Sequence, residues 1–387
     1  MPSGSLTAAS VSTMRRPRLK LSASKASVGA GGVRRPPKVV FSQSGAPRVG
    51  RRVVSALYIY SPPDPGFRQR PQVSPGFGSV EPLPATPRVL TWAPRGIRTR
   101  MQFSQTAFYT NEVVLNYAEG PPNGSEFVVL HGGAGRWQYS QQLLDILAES
   151  WHMFAPDFRG HGLSGHVPGA YLLRDYVRDT AAFLAGVVRQ PAVVYGHSLG
   201  GEVGVMLAAR HPELVCALIV GDAPLSINDH ATEHPAHRAQ NTLWHALAGR
   251  PVDEIDRELR AMPVPVPGED QLRPASEVLG ANSGYFAHQS VSLHQLDPDM
   301  LATVLAGPSV MLEGYEPEDL LPAIACPVLL VQADPRFGNA LSDHDLALGL
   351  RLLRNVKHVK VDGVGHPLHA MQPARMAQLF QAFLDGR

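Results

Sequence analysis

From residue 107 onward, short apolar runs alternate with longer stretches in which apolar residues recur at helical spacing. Short runs of this kind predict buried strands, and the helical spacing predicts amphipathic helices. The predicted strands are 107–109, 113–117, 127–130, 153–155, 193–195, 214–220, 328–332 and 358–361. The first two flank Thr110-Asn111-Glu112 and predict a hairpin. Because the later strands alternate with helices, at 141–149, at 172–188 and after residue 198, the fold class is α/β, a mostly parallel sheet with helices on both faces.

A long insertion interrupts this alternation between Asp222 and Cys326. Its length of about a hundred residues far exceeds the usual connection of a few residues. Helical patterns cover 237–248, 252–262 and 300–305, with Pro- and Gly-rich separators between them. We therefore predict a helical cap at 224–314, inserted into an α/β core formed by 101–223 and 315–387.

Residues 1–100 differ from the rest of the chain in charge and composition. They contain 17 Lys and Arg but only two acidic residues, a net of +15, whereas the remainder carries a net of −13. They are rich in Pro, Gly, Ser and Ala without sustained periodicity, which predicts a disordered extension. Its role stays open between a transit peptide, a basic arm for nucleic acid or anionic membrane, and an extension ahead of a domain that starts near Met101.

The best-marked motif is Gly-x-Ser-x-Gly at 196–200. An apolar run, Val193-Val194-Tyr195, leads into it, and a helix rich in small residues follows. In that strand–turn–helix context Ser198 lies at the apex of a strained turn, and glycines on both sides let strand and helix approach closely. The alternative is a passive serine in a flexible glycine loop.

Four motifs in this order resemble the α/β-hydrolase fold superfamily over about residues 104–387. They are Leu130-His131-Gly132-Gly133, Asp157-Phe158-Arg159-Gly160-His161-Gly162, Gly196-His197-Ser198-Leu199-Gly200 and Val364-Gly365-His366. The resemblance implies a serine mechanism with no cofactor and no metal, and triad residues in the order Ser, acid, His. It also implies that the loop at 157–165 braces the fold and does not touch substrate.

Carried onto this sequence, the resemblance makes Ser198 the nucleophile and His366 the general base. Asp334 is the expected acid, because it directly follows the predicted strand at 328–332. Asp222 is the alternative, since some members take their acid after the preceding strand. The oxyanion donors are the backbone N–H of Leu199 and that of Gly133 or, alternatively, Ala134.

Other side chains are candidates for the substrate pocket or for simple structural roles. The candidate pocket residues are Arg136, Trp137, His197 and Trp244. Two roles are open for Tyr285, Phe286 and Met311: they line the pocket or they form the cap's own core. We expect His230, His234 and His237 to lie in a solvated loop and not in a metal site. The two cysteines, Cys216 and Cys326, are expected to be buried small hydrophobic residues.

These observations predict a serine-dependent hydrolase that cleaves a small carboxylic ester, thioester or lactone. The alternatives are a carbon–carbon bond hydrolase with the same triad, a lyase or ligand receptor, and a binding protein acting through its basic extension. The expected partner is a small acyl compound, with no nucleic acid bound by the core. Because no apolar stretch reaches eighteen residues, no transmembrane segment is expected, which favours a cytoplasmic location. The oligomeric state stays open.

Overall fold

The computed structural model describes residues 103–227, 235–265 and 272–386. The predictions made for residues 1–100, and those for His230 and His234, lie outside the described residues. Within the described ranges, no helix is both long enough and apolar enough to cross a membrane.

An eight-stranded sheet forms the centre of the structure. Its strands are β1 (Ser104–Tyr109), β2 (Val114–Glu119), β3 (Glu126–Leu130), β4 (His152–Pro156), β5 (Ala192–His197), β6 (Val215–Gly221), β9 (Val328–Ala333) and β10 (Val356–Val361). They are ordered β1-β2-β4-β3-β5-β6-β9-β10. The β1–β2 and β2–β4 pairs are antiparallel and the other pairs are parallel, which confirms the mostly parallel sheet and the hairpin at its edge.

Helices cover both faces of this sheet. They are α1 (Gln141–Leu147), α2 (Leu173–Phe183), α3 (Leu199–Arg210), α10 (Pro317–Ala323), α11 (Asp343–Leu352), α12 (Leu368–Met371) and α13 (Pro373–Asp385). Successive strand side chains point to opposite faces, so strand β5 serves two cores. Val194 joins the cluster under α2 and α3, whereas Tyr195 joins the one under α1 and α13. The parallel strands are therefore buried on both faces, which explains why they read as continuous apolar runs.

The segment between β6 and β9 is mainly helical. It contains α4 (Pro235–Leu247), α5 (Val252–Ala261), β7 (Pro263–Pro265), β8 (Leu272–Pro274), α6 (Ala275–Val278), α7 (Gly284–His294), α8 (Pro298–Leu305) and α9 (Pro308–Met311). Sequence patterns missed α7, because Gly284 resembled a helix breaker, although Ser283 caps its first turn by accepting from the Tyr285 N–H. Phe286 and Met311 belong to the apolar cluster that continues under α2 and α3. The insertion thus shares its hydrophobic core with one face of the sheet.

A buried ion pair fixes the loop that follows β4. Arg159 is fully buried, and its guanidinium donates to both carboxylate oxygens of Asp179 on α2, at 2.6 and 2.8 Å. It also donates to Glu112 beside the edge hairpin and to the Ala170 carbonyl. The predicted bracing role of the 157–165 loop is consistent with this network, since planar bidentate pairs add geometric specificity.

Replacing Asp179 with Asn tests this brace. The change leaves the buried Arg159 charge paired with the partly exposed carboxylate of Glu112 and no longer with a buried one, so we expect the free energy of unfolding to fall by about 3 kcal/mol in chemical denaturation. As a control, Arg174→Gln breaks the exposed pair with Glu313 and should cost less than about 1 kcal/mol. Equal losses in the two variants would contradict the assignment.

Candidate active site

The turn between β5 and α3 places Ser198 above the sheet. Its backbone has φ 53° and ψ −122°, a conformation that non-glycine residues rarely adopt. A Cβ on Gly196 would lie 2.0 Å from the Gly200 carbonyl oxygen, and one on Gly200 would lie 2.3 Å from the Leu130 carbonyl oxygen. Only glycine therefore allows α3 to approach β5 and β3 this closely. The predicted strained strand–turn–helix is confirmed.

His366 lies beside Asp222. Its Nδ1 is 2.7 Å from the Asp222 Oδ2. The Asp222 side chain is completely buried, whereas the imidazole is 18% exposed. Backbone N–H groups of Ala333, Ala340 and Leu341 also donate to the Asp222 carboxylate, at 3.0, 2.8 and 3.3 Å. The buried carboxylate is thus fully partnered and fixes the orientation of the imidazole.

A backbone hydrogen bond joins the serine turn to the end of β6, next to this acid. The Ser198 N–H donates to the carbonyl of Gly221 at 3.1 Å, and Asp222 is the next residue. Asp222 itself has φ +46°, so the chain turns sharply at the end of β6. The structure therefore pairs Asp222 with His366, and the ring of His366 lies 4.5 Å from that of His197, the residue before Ser198.

The expected pairing of Asp334 with His366 is wrong. The Asp334 carboxylate accepts hydrogen bonds from the backbone and guanidinium of Arg336, at 2.6 to 3.2 Å, and from the Gly363 N–H at 2.8 Å. Burial alone would raise the pKa of Asp334, but these donors outweigh it and lower the pKa. Asp334 follows β9, one strand farther from β5 than β6 is, and caps the 3₁₀ turn at Pro335–Phe337. Asp222 occupies the position beside the imidazole.

The loop after β3 faces the serine. A Cβ on Gly132 would lie 3.2 Å from the Ser198 Cβ, so the glycine allows a close approach. The Ala134 N–H donates to His161 Nε2 at 3.2 Å, which removes it as an oxyanion donor. Gly133 is exposed in this loop. Leu199 opens α3, and its N–H is one of the four that a helix leaves without an intrahelical partner.

Four buried histidines with lowered pKa values lie near the candidate site. Burial lowers the pKa of His131 to about 4, of His161 to about 3 and of His369 to about 3. Burial, reinforced by neighbouring His366 and His369, also lowers the pKa of His197. The imidazole of His197 donates from Nε2 to the His366 carbonyl at 2.8 Å, and its ring lies 4.5 Å from that of His366. At neutral pH the four rings whose pKa is lowered, those of His131, His161, His197 and His369, are uncharged.

The candidate pocket residues have different surroundings. Trp137 is buried in the cluster under α1, with its Nε1 donating to Gln105 on β1, so the pocket role expected for it is wrong. His197 is buried under His366 and does not line the surface of a pocket. Arg136 and Trp244 are half-buried, and a nitrogen of each, Nε and Nε1, is buried without a hydrogen-bond partner in the part of the chain that the structure describes.

Sequence reasoning missed two contacts, one between the insertion and the oxyanion loop and one between the turn after that loop and α12. Gln289 on α7 donates from Nε2 to the Ala134 carbonyl at 3.2 Å. Tyr139, in the 3₁₀ turn at Trp137–Ser140, packs edge-on against the ring of His369 at 5.4 Å. No motif marks either residue, since the Gln289 contact depends on how the insertion folds over the loop and the Tyr139 contact on how α12 packs against the turn.

Comparison with known proteins places these features in context. A model of the alpha/beta hydrolase family matches residues 127–379. A "Serine hydrolase-like protein" of Danio rerio is 34% identical over 105 residues, 27% of this chain and 32% of that protein. The chain is thus aligned to only about a third of that relative's length.

Two bacterial proteins align over most of their length. The "2-(acetamidomethylene)succinate hydrolase" of Mesorhizobium japonicum is 27% identical over 71% of this chain and 92% of that protein. A "Putative carbamate hydrolase RutD" of Variovorax paradoxus is 32% identical over 70% of this chain and 95% of that protein. A crystal structure of E-2-(acetamidomethylene)succinate hydrolase superposes with a TM-score of 0.54, at 20% identity over 73% of this chain and all of that chain, which shows the shared fold.

The buried histidines predict a pH-dependent stability. Because their folded pKa values lie below the ordinary value of about 6.5, the unfolded chain binds more protons below that pH. We expect the free energy of unfolding, measured in urea, to be constant above about pH 6.5 and to fall between pH 6.5 and about 4. Each such histidine contributes up to about 1.4 kcal/mol per pH unit.

His369→Gln should make this slope shallower by about that amount. A wild-type stability that stays flat down to pH 4.5 would contradict the assignment of neutral buried rings.

Proposed function

The chain belongs to the alpha/beta hydrolase family and is a hydrolase, and from that premise we propose that it cleaves a small carboxylic ester, thioester or lactone through an acyl-enzyme on Ser198. The observation that carries the proposal is the 2.7 Å contact of His366 Nδ1 with the buried Asp222 carboxylate, beside the strained serine turn. We further propose Asp222 as the acid of the triad.

In this mechanism His366 is the general base. A serine hydroxyl is a weak nucleophile at neutral pH, so a base must accept its proton as it attacks a carbonyl carbon. Because Nδ1 contacts the carboxylate of Asp222, Nε2 is the ring nitrogen that takes the proton of Ser198. The carboxylate fixes this tautomer and stabilises the imidazolium without accepting the proton itself. The same imidazole then protonates the leaving group and activates the water that releases the acyl group.

Charge on the former carbonyl oxygen requires prearranged donors. We assign this role to the N–H groups of Leu199 and Gly133. The positive end of α3 favours negative charge at Leu199. The engagement of the Ala134 N–H by His161 supports Gly133 over Ala134.

A carbamate or amide is the second candidate substrate class. The Variovorax relative that aligns over 95% of its length is named a putative carbamate hydrolase, and the reaction begins with the same attack on a carbonyl carbon. The division of the chain into a core and a cap at 224–314 stays part of the proposal, with the cap selecting among such substrates.

The first test is covalent labelling of Ser198. A fluorophosphonate probe should add one adduct to the full-length chain, and Ser198→Ala should abolish both labelling and turnover of p-nitrophenyl acetate. We expect turnover in Ser198→Ala to be about 10³-fold or more below that of the wild type, since the attacking atom is lost. Ser140→Ala removes another buried serine hydroxyl and should label at the wild-type rate. Labelling that persists in Ser198→Ala would contradict the proposed mechanism.

The second test separates the two acids. Asp222→Asn keeps the shape of the side chain but removes the charge that holds the His366 tautomer, so we expect kcat to fall by about 10³- to 10⁴-fold. Asp334→Asn should lower the thermal stability, because the ion pair between Arg336 and Asp334 is lost, while kcat changes by less than about 5-fold. A larger loss of kcat in Asp334→Asn than in Asp222→Asn would restore Asp334 as the acid.

A further inference from the structure

Helix α7 of the insertion lies directly over the oxyanion loop. Gln289 ties the helix to this loop through the Ala134 carbonyl. Tyr285 precedes Gln289 by four residues, so both side chains lie on the same face of the helix. This places the Tyr285 side chain between the insertion and the loop that carries the candidate oxyanion donor Gly133.

The hydroxyl of Tyr285 is buried and has no hydrogen-bond partner within the described residues. Burial raises the pKa of Tyr139 to about 12, and burial together with Tyr139 raises that of Tyr285. Tyr139 in turn packs on His369, whose ring lies 4.7 Å from that of His197, the residue under His366. Ring contacts thus join the turn at 137–140 to the candidate base, and Tyr139 on that turn interacts electrostatically with Tyr285.

A missing partner alone does not identify a binding group. Among the described residues, the hydroxyls of Tyr176 and Tyr315 are also buried without partners. Tyr176 lies on α2, and its ring packs against those of Phe158 and His161. The charges that act on Tyr315 are those of Glu202 on α3 and Asp345 on α11. Location distinguishes Tyr285, because an unsatisfied buried hydroxyl costs about 1–3 kcal/mol that a substrate acceptor would recover only at the site.

The surrounding elements favour a negatively charged acceptor. The loop and turn at 131–140, helix α4 and helix α7 contain no Asp or Glu. Arg136 lies in this loop, and its buried Nε has no hydrogen-bond partner among the described residues. Burial lowers its pKa and Asp157 raises it, but the Asp157 carboxylate already accepts from Trp137, Asn116 and Leu163. The charge of Arg136 is therefore not neutralised by a close ion pair with Asp157.

We propose that the acyl part of the substrate ends in a carboxylate, which accepts a hydrogen bond from Tyr285 and is balanced in charge by Arg136. The inference rests on the proposed acyl transfer to Ser198 and adds the substrate class. Both groups act by binding and positioning the substrate, so their loss should raise KM more than it lowers kcat.

The test compares p-nitrophenyl esters that differ only at the end of the acyl chain. Mono-p-nitrophenyl esters of glutarate, adipate and pimelate are set against those of pentanoate, hexanoate and heptanoate, with spontaneous hydrolysis subtracted. For the wild type we expect kcat/KM to favour the acid ester by about 10-fold or more at the best chain length, as a hydrogen bond to a charged group is typically strong. Tyr285→Phe and Arg136→Gln should each reduce that preference by about 10-fold, mainly through KM.

Two matched variants provide the controls. Tyr315→Phe removes a buried, unpartnered hydroxyl that lies elsewhere, and Arg238→Gln removes an exposed cation on α4. Both should keep the wild-type preference. Equal kcat/KM for acid and neutral esters at every length, with turnover still dependent on Ser198, overturns the carboxylate proposal alone. The absence of Ser198-dependent turnover overturns the proposed function beneath it.

Discussion

A single buried carboxylate holds together the loops on which the candidate site depends. Asp222 is inaccessible to solvent, and a charge in that position is tolerated only when each oxygen is bonded. Its donors come from the end of β9, from the loop at 340–341 and from the imidazole of His366. The requirement to satisfy one charge therefore sets the relative positions of three segments. The candidate base is oriented as a consequence of that requirement.

Backbone strain is concentrated around the same point. Among the described non-glycine residues with positive φ, three follow strands that converge at the site: Ala134 after β3, Ser198 after β5 and Asp222 after β6. Each such conformation costs about 1–3 kcal/mol and persists only where the surroundings impose it. Here the surroundings are a sheet buried on both faces, with Gly196 and Gly200 permitting backbone contact. The stable sheet thus supports strained turns at the carboxyl ends of its strands, and one of these turns carries the serine.

Sequence patterns predicted the sheet, the hairpin and the serine turn, because each is a local signal of spacing and glycine placement. The acid could not be chosen in this way. Asp222 and Asp334 each follow an apolar strand, and the choice between them depends on strand order: β6 lies next to β5, whereas β9 lies one position farther. About a hundred inserted residues separate the two acids and hide that adjacency. The nearby Arg336 was a local signal that Asp334 had a partner of its own.

The insertion was also difficult to interpret from sequence, for a physical reason. Its apolar residues pack into the same cluster as α2 and α3, so the helical periodicity that predicted a cap could not reveal that its core is shared with the sheet. Gln289 then links α7 to the oxyanion loop through a single hydrogen bond between side chain and backbone. An insertion that shares its core with the sheet cannot swing freely as an independent domain, because separation would expose apolar surface at about 25 cal/mol per Å². The substrate selection that we propose would therefore depend on side chains that this shared core holds in place, among them Tyr285, one helical turn from Gln289.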